Sequence, residues 1–283
     1  MQPVAYLDRE FLDSDEGRPL RILAEYLEPL ERFRAQNIQD TVAFFGSARV
    51  GSRERADAEL ASLTSRRARD SAESEPQLAK ARKAMEWSRY YEEARQLATL
   101  LTEWSLSLGV PHRFVVTSGG GPGIMEAANR GANEAGGKTI GLNIRLPFEQ
   151  GPNPYITKGL HFEFHYFFMR KFWFAHLAKA LVIFPGGFGT LDEMCEVLTL
   201  MQTEKIAKEI QIILYGADYW DRVLNLKPML EWGAIGEEDE RLLQRANTPQ
   251  EAFEALKAHL MEHHVEPATA YGRKVPAIAK TRF

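Results

Sequence analysis

The chain has 283 residues, 45% of them hydrophobic and 26% charged. That balance suits an ordinary globular protein and excludes disordered, collagen-like and disulfide-stapled classes. Thirty-five basic against 39 acidic side chains leave a formal net charge of −4, so no general field favours nucleic acid or an anionic membrane. The single cysteine, Cys195, allows no intramolecular disulfide. The polar, acidic start MQPVAYLDREFLDSDEG lacks the basic and apolar parts of a secretory leader, and no uninterrupted apolar run is long enough to span a bilayer. The expectation is a cytoplasmic protein with neither nucleic acid nor membrane as partner.

In chain order, an acidic lead runs into a helix over ILAEYLEPLERFRAQ, with a break or kink expected at Pro29. TVAFFG (41–46) is the first strand. A long charged segment follows, reading as two helices with a turn near Pro76. Between Arg53 and Glu93 nine basic residues balance nine acidic ones, so the patch Arg66-Arg67-Ala68-Arg69 is expected to be a solvated helix face. After Pro111 short apolar strands alternate with helices: RFVVTS, KTIGLNI, GLHFEFHY, ALVIF and IQIILYG are the strands. Helices are expected over 124–136, 167–180, 190–206, 219–231, 237–245 and 249–264, and the tail from Pro267 is expected to be irregular. Continuous apolar strands between helices predict a doubly wound parallel α/β sheet, Rossmann-like, with helical additions. One domain spanning 1–283 is the simplest organisation, with 1–40 as a helical extension and 265–283 as a tail.

Two glycine clusters, Ser118-Gly119-Gly120-Gly121-Pro122-Gly123 and Pro185-Gly186-Gly187-Phe188-Gly189-Thr190, each follow a strand and open a helix. Such loops lie at the carboxyl edge of a parallel sheet, where unpaired N–H groups and the helix dipole favour an anion. Neither spells G-x-G-x-x-G. Gly46 to Gly51 has Walker-type glycine spacing, but Ser52-Arg53 stands where Lys-Ser/Thr is required. A dinucleotide or a hydrolysed triphosphate is therefore disfavoured, and the phosphate of a mononucleotide is expected.

PGGFGTLDE (185–193) and SGGGPGIMEAANRGA (118–132), with GLNIRLPFEQ, PNPY, FFMRKFWFA and VLTLMQTEKI, resemble the signatures of the LONELY GUY family. These nucleoside 5′-monophosphate phosphoribohydrolases include cytokinin riboside enzymes, and many were long labelled lysine decarboxylases. One departure is that Ser118 falls on the first glycine of the plant and fungal triplet, a feature that resembles a longer bacterial branch. The resemblance implies a Rossmann-like fold, a homodimer or higher assembly, and release of the base from AMP or an N6-modified nucleotide. Neither cofactor nor metal is implied. The alternative is a non-catalytic nucleotide-binding or carrier protein on the same fold.

Residue by residue, Glu193 is the candidate carboxylate for stabilising an oxocarbenium-like state or activating water. Against this, Thr190-Leu191-Asp192-Glu193 is also a capping box. Arg170 and Lys171 interrupt a stretch in which eight of thirteen residues (162–174) are aromatic, so their charges require solvent or an anion. In the resembled family the matching pair lines the nucleotide site, and Arg170 is the catalytic member, which suits charge stabilisation. Phosphate and ribose contacts are expected from Ser47, Gly119, Gly120, Gly121, Gly123, Met125, Lys171, Gly186, Gly187, Gly189 and Thr190. Ser47 has a competing reading as a helix cap, and Glu126 reads as a first-turn acid. Phe162, Phe164, Tyr166, Phe167 and Trp173 read as core or interface more readily than as base-stacking residues. His161-Phe162-Glu163-Phe164-His165 places its glutamate wrongly for H-E-x-x-H, so zinc is not expected, and Cys195 is expected to be a buried thiol. A pyridoxal phosphate decarboxylase is disfavoured, because it needs both a Schiff-base lysine and a pyridine-nitrogen partner and no residues can be placed in both roles.

Overall fold

Every residue of β1 (Thr41–Phe45) is buried, as a strand covered on both faces must be. The computed structural model describes residues 3–67, 75–110, 112–145, 151–206 and 208–265, with the side chains of Arg66 and Arg67 excepted. Around β1 the elements are α1 (Arg9–Asp13), α2 (Arg18–Ala35), α3 (Arg53–Arg67), α4 (Glu75–Ser107), β2 (Val115–Ser118), α5 (Ile124–Glu134), β3 (Thr139–Ile144), β4 (His161–Phe164) and α6 (Phe167–Leu177). Then come β5 (Ala178–Ile183), α7 (Phe188–Gln202), β6 (Gln211–Tyr215), α8 (Ala217–Val223), α9 (Lys227–Glu231), α10 (Glu237–Glu240), β7 (Leu243–Ala246) and α11 (Pro249–Leu260).

The strands form one seven-stranded sheet in the order β4-β3-β2-β1-β5-β6-β7, each pair parallel. This is the doubly wound α/β class expected from the sequence. Successive β1 side chains feed two cores, as the two-residue strand period requires. Val42 and Phe44 pack in one with Tyr91, Leu97 and Leu101 of α4 and with α5 and α11. Ala43 and Phe45 pack in the other with Phe33 of α2, Trp173 of α6 and Met194 of α7. The chain winds outward from β1 in both directions, so the crevice at the carboxyl ends of β1 and β5 is the topological switch point, where open α/β sheets bind ligands.

Several local expectations are corrected. Pro29 does not break α2. It lacks the N–H that the Glu25 carbonyl would otherwise receive, and that carbonyl instead accepts the Trp173 Nε1–H at 3.0 Å. The Glu25 carboxylate also accepts the N–H groups of His165 and Tyr166, at 2.7 and 3.2 Å, so α2 is pinned to the start of α6. The helix expected over 219–231 is two, α8 and α9, with Pro228 in the first turn of the second. The helix expected over 237–245 ends at Glu240, and Leu243–Ala246 joins the sheet beside β6. Glu75 and Pro76, near which a turn was expected, already belong to α4, while Ser74, the Ala68-Arg69 part of the arginine patch and the tail from Pro267 lie outside the described residues.

Trp173→Phe keeps an aromatic ring in the core but removes the donor to Glu25. It is expected to lower unfolding free energy by about 1–3 kcal/mol, measured by urea denaturation. Unchanged stability would show that this bond does not hold α2.

Candidate functional site

The loop after β1 ties the two glycine loops together. The Ser47 N–H donates to the Pro185 carbonyl at 3.0 Å, and the Ser47 carbonyl accepts the Ile124 N–H at 3.2 Å. Both loops therefore lie beside one another at one rim of the sheet. Gly123 makes this approach possible: its φ is +74°, and a Cβ there would fall inside the Ser47 carbonyl. Ser47 does not cap the following helix. Its hydroxyl accepts the Arg49 N–H at 3.1 Å, while Ser52 accepts the N–H of Arg55 in the first turn of α3 at 3.3 Å.

The second loop leaves its helix open. Gly187 is the N-cap of α7 and offers no side-chain cap, so the first-turn amides have no intrahelical partner and their positive end faces outward. Helix α7 begins at Phe188, two residues earlier than expected. Thr190 and Glu193 thus sit inside the helix, and the capping-box reading is overturned. Glu193 is 7% exposed, and its Oε1 lies 3.7 Å from the Arg170 Nη1. Burial pushes the Glu193 carboxyl up to about 7, against the opposing pull of Arg170 and Lys171. Arg170 is itself held in place. Its Nε donates to the carbonyl of Leu142 within β3 at 2.8 Å, and its guanidinium lies over Phe174 at 5.3 Å. Burial presses its pKa down while Glu193 and Asp192 resist. Lys171 turns aside to Asp192 and Glu196, at 2.8 and 3.1 Å. Burial works against its charge, but those carboxylates outweigh it and raise the pKa.

A cavity of about 660 Å³ opens here, lined by Ser47, Met125, Arg170, Gly186, Gly187, Gly189, Thr190 and Glu193 among the expected residues. Lys171, Gly119, Gly120, Gly121 and Gly123 are not part of this lining. The first loop is braced from within. The Gly120 N–H donates to the Ser118 hydroxyl at 3.0 Å, and the Asn153 side chain donates to the Gly120 and Gly121 carbonyls and to Asn129. Asn129 also receives the Ser118 hydroxyl at 2.6 Å and donates to Thr139 and Ile140. Its buried amide thus joins the loop to β3, a role that sequence reasoning missed. Glu126 faces α4, accepting the Tyr91 hydroxyl at 2.7 Å.

The cavity also gathers residues that the sequence did not single out: Arg49, Trp87, Phe188 and Tyr219. Of the five aromatics weighed for stacking, Phe162, Phe164, Tyr166 and Trp173 are buried in the core and Phe167 lines the cavity. Cys195 is exposed, correcting the expected burial; two positions beyond Glu193, it falls on another face of α7. In β4, Phe162 and Phe164 are buried while Glu163 is exposed. Among the described residues no group of three His, Cys, Asp or Glu side chains is arranged to hold a metal, and no helix is long and apolar enough to cross a membrane.

Fold and site together define a doubly wound parallel α/β protein with a buried acid and guanidinium at the open end of a glycine-launched helix. Residues 125–256 match the family described as "Possible lysine decarboxylase". The chain is 28% identical over 194 residues to the cytokinin riboside 5′-monophosphate phosphoribohydrolase LOG of Oryza sativa subsp. japonica, covering 66% of this chain and 72% of that one. It is 27% identical over 149 residues to the probable phosphoribohydrolase LOG6 of Arabidopsis thaliana, covering 53% and 74%. The resemblance read from the motifs is borne out: the chain is similar to LONELY GUY proteins, and its residues 125–256 match the family model. Solved structures with likeness include a molybdenum cofactor binding protein from Rippkaea orientalis (21% identity, TM-score 0.43, 60% of this chain and 86% of that one). Another is the molybdenum cofactor carrier protein of Chlamydomonas reinhardtii (18% identity, TM-score 0.45, 78% and 98%).

Because the folded-state pKa of Glu193 is raised from 4.5 to about 7, the protonated form contributes stability below pH 4.5 that is lost as pH rises through 7. Glu193→Gln, which imitates the protonated acid, is expected to match the native chain near pH 4.5 and to exceed it at pH 8 by on the order of 2–3 kcal/mol. Denaturant unfolding at the two pH values checks this. Equal stability at both would mean that the carboxylate is not strained by burial.

Proposed function

We propose that the protein hydrolyses the N-glycosidic bond of a purine nucleoside 5′-monophosphate, AMP or an N6-modified relative, to free base and ribose 5-phosphate. One observation carries this reading: a buried carboxyl with a pKa of about 7 lies 3.7 Å from a fixed guanidinium, at the uncapped start of α7. The phosphate sits on the amides of Phe188, Gly189 and Thr190, with Gly186, Gly187 and Ser47 close by. The braced first loop holds Met125 and the start of α5 against it. As the bond from C1′ to the base breaks, positive charge grows on the anomeric carbon and ring oxygen. Glu193 stabilises that charge or takes a proton from the water that adds to C1′. Arg170, which hardly deprotonates, orients the substrate and holds Glu193 in position. Its ion pair is longer than a hydrogen bond, leaving the Nη donors available to substrate oxygens.

The reading is supported by the curated relatives' names, cytokinin riboside 5′-monophosphate phosphoribohydrolase and, for the second, its probable counterpart. A cytoplasmic setting, a single domain and a homodimer or larger assembly complete the proposal. Exposed Leu23, Leu27 and Phe168 on α2 and α6 supply apolar surface for a second copy.

Incubation with AMP is expected to release adenine and ribose 5-phosphate in equal amounts. Glu193→Gln should reduce kcat by about 10²–10⁴-fold while AMP still binds, and Arg170→Ala should weaken both binding and rate. Saturable binding of nucleoside monophosphates without turnover in the native chain would overturn hydrolysis in favour of a carrier.

A further inference from the structure

The geometry points to an aromatic wall, Trp87 of α4 and Tyr219 of α8 with Phe188 of α7 at the mouth, as the element that holds the base and sets base preference. This rests on the reading of the cavity as a mononucleotide site. The three residues come from separate elements and line the same cavity. Trp87 and Tyr219 meet edge to face, their centroids 5.7 Å apart and their planes at 86°. Such a pair fixes both rings without consuming both faces. The Tyr219 hydroxyl donates to the Gly186 carbonyl at 2.7 Å, so the wall is bolted directly to the loop that launches α7.

Phe188 is 92% exposed although it begins a helix that buries one face through Thr190, Glu193, Met194 and Val197. Among the described residues nothing covers it. A planar heterocycle held in this cavity would cover it, since every base offers a π-face to an aromatic side chain. The polar groups, Arg170, Glu193 and the α7 amides, come from the sheet rim, whereas Trp87 comes from α4, the helix of the charged segment. Trp87 lies outside residues 125–256, the stretch that matches the family. One of the three wall residues therefore belongs to a part of this chain that the family match does not reach, while Phe188 and Tyr219 lie within it. The chemical class the wall selects is a bicyclic purine over a pyrimidine, because the larger ring covers more of the wall.

The test compares the native chain with Phe188→Ala, Trp87→Ala and Trp87→Phe, using AMP, CMP and ribose 5-phosphate as ligands. Phe188→Ala changes an exposed side chain, so its folding is secure even if Trp87→Ala loosens α4. Both alanine variants are expected to raise KM for AMP roughly 10-fold with kcat little changed. They should narrow the AMP-over-CMP preference and leave inhibition by ribose 5-phosphate untouched. Trp87→Phe should restore most of the loss, and the AMP-induced quenching of tryptophan fluorescence should shrink in that variant. If the native chain binds AMP without turnover, the same comparison is made with Kd, so a failure of the hydrolase reading is seen separately from a failure of the wall. The wall is overturned by an unchanged KM or Kd for AMP in Phe188→Ala and Trp87→Phe. It is equally overturned by parallel weakening of AMP and ribose 5-phosphate, by a change in oligomeric state alone, or by no AMP binding to the native chain.

Discussion

The site depends on a helix that starts without a cap. A polar side chain at the N-terminus of α7 would satisfy its first amides and occupy the open space that a Cβ at Gly187 would meet. Gly187 does neither, so the backbone keeps donors to offer and the dipole keeps its outward end. The carboxyl of Glu193, burdened by burial, stands one turn further along. An unpaired buried charge at that place would be costly, and Arg170 moderates that cost from the neighbouring α6. Neither residue is set by local sequence alone. Arg170 is placed by a β3 carbonyl and Glu193 by where α7 begins, and both trace back to β1 lying between β2 and β5.

The two glycine loops, alike in the sequence, divide the work. The loop after β5 presents open amides to the cavity. The loop after β2 spends its polar groups on Ser118, Asn129 and Asn153 and so acts as a rigid support for Met125 and α5. Ser47 joins them through its backbone, one hydrogen bond to each side. A rim assembled this way is preorganised, with little left to order when an anion arrives.

Much of this was legible from residues alone. The all-buried strands appear as apolar runs, and PGGFGTLDE and FFMRKFWFA bring Glu193 and Arg170 forward because charges amid glycines and aromatics demand a reason. What stayed hidden has physical causes. Strand β7 buries Leu243 and Ala246 and exposes Gln244 and Arg245, a spacing of three that a helix shares, so pairing with β6 decides what periodicity cannot. Asn153 lies 24 residues from Asn129, and no local pattern announces that contact. The start of α7 turns on two residues, and that small shift separates a capping box from a buried acid. Trp87 is 132 residues from Tyr219, so their meeting is a property of the fold.

The central claim is that the open amides of α7 receive the phosphate of a sugar phosphate. Titrating ¹⁵N-labelled protein with ribose 5-phosphate measures this at single N–H groups. The account predicts saturating shifts that are largest at Phe188, Gly189 and Thr190, with smaller ones at Gly120 and Ile124, whose amides are already engaged. Largest shifts in the first loop, or none at the start of α7, would contradict it.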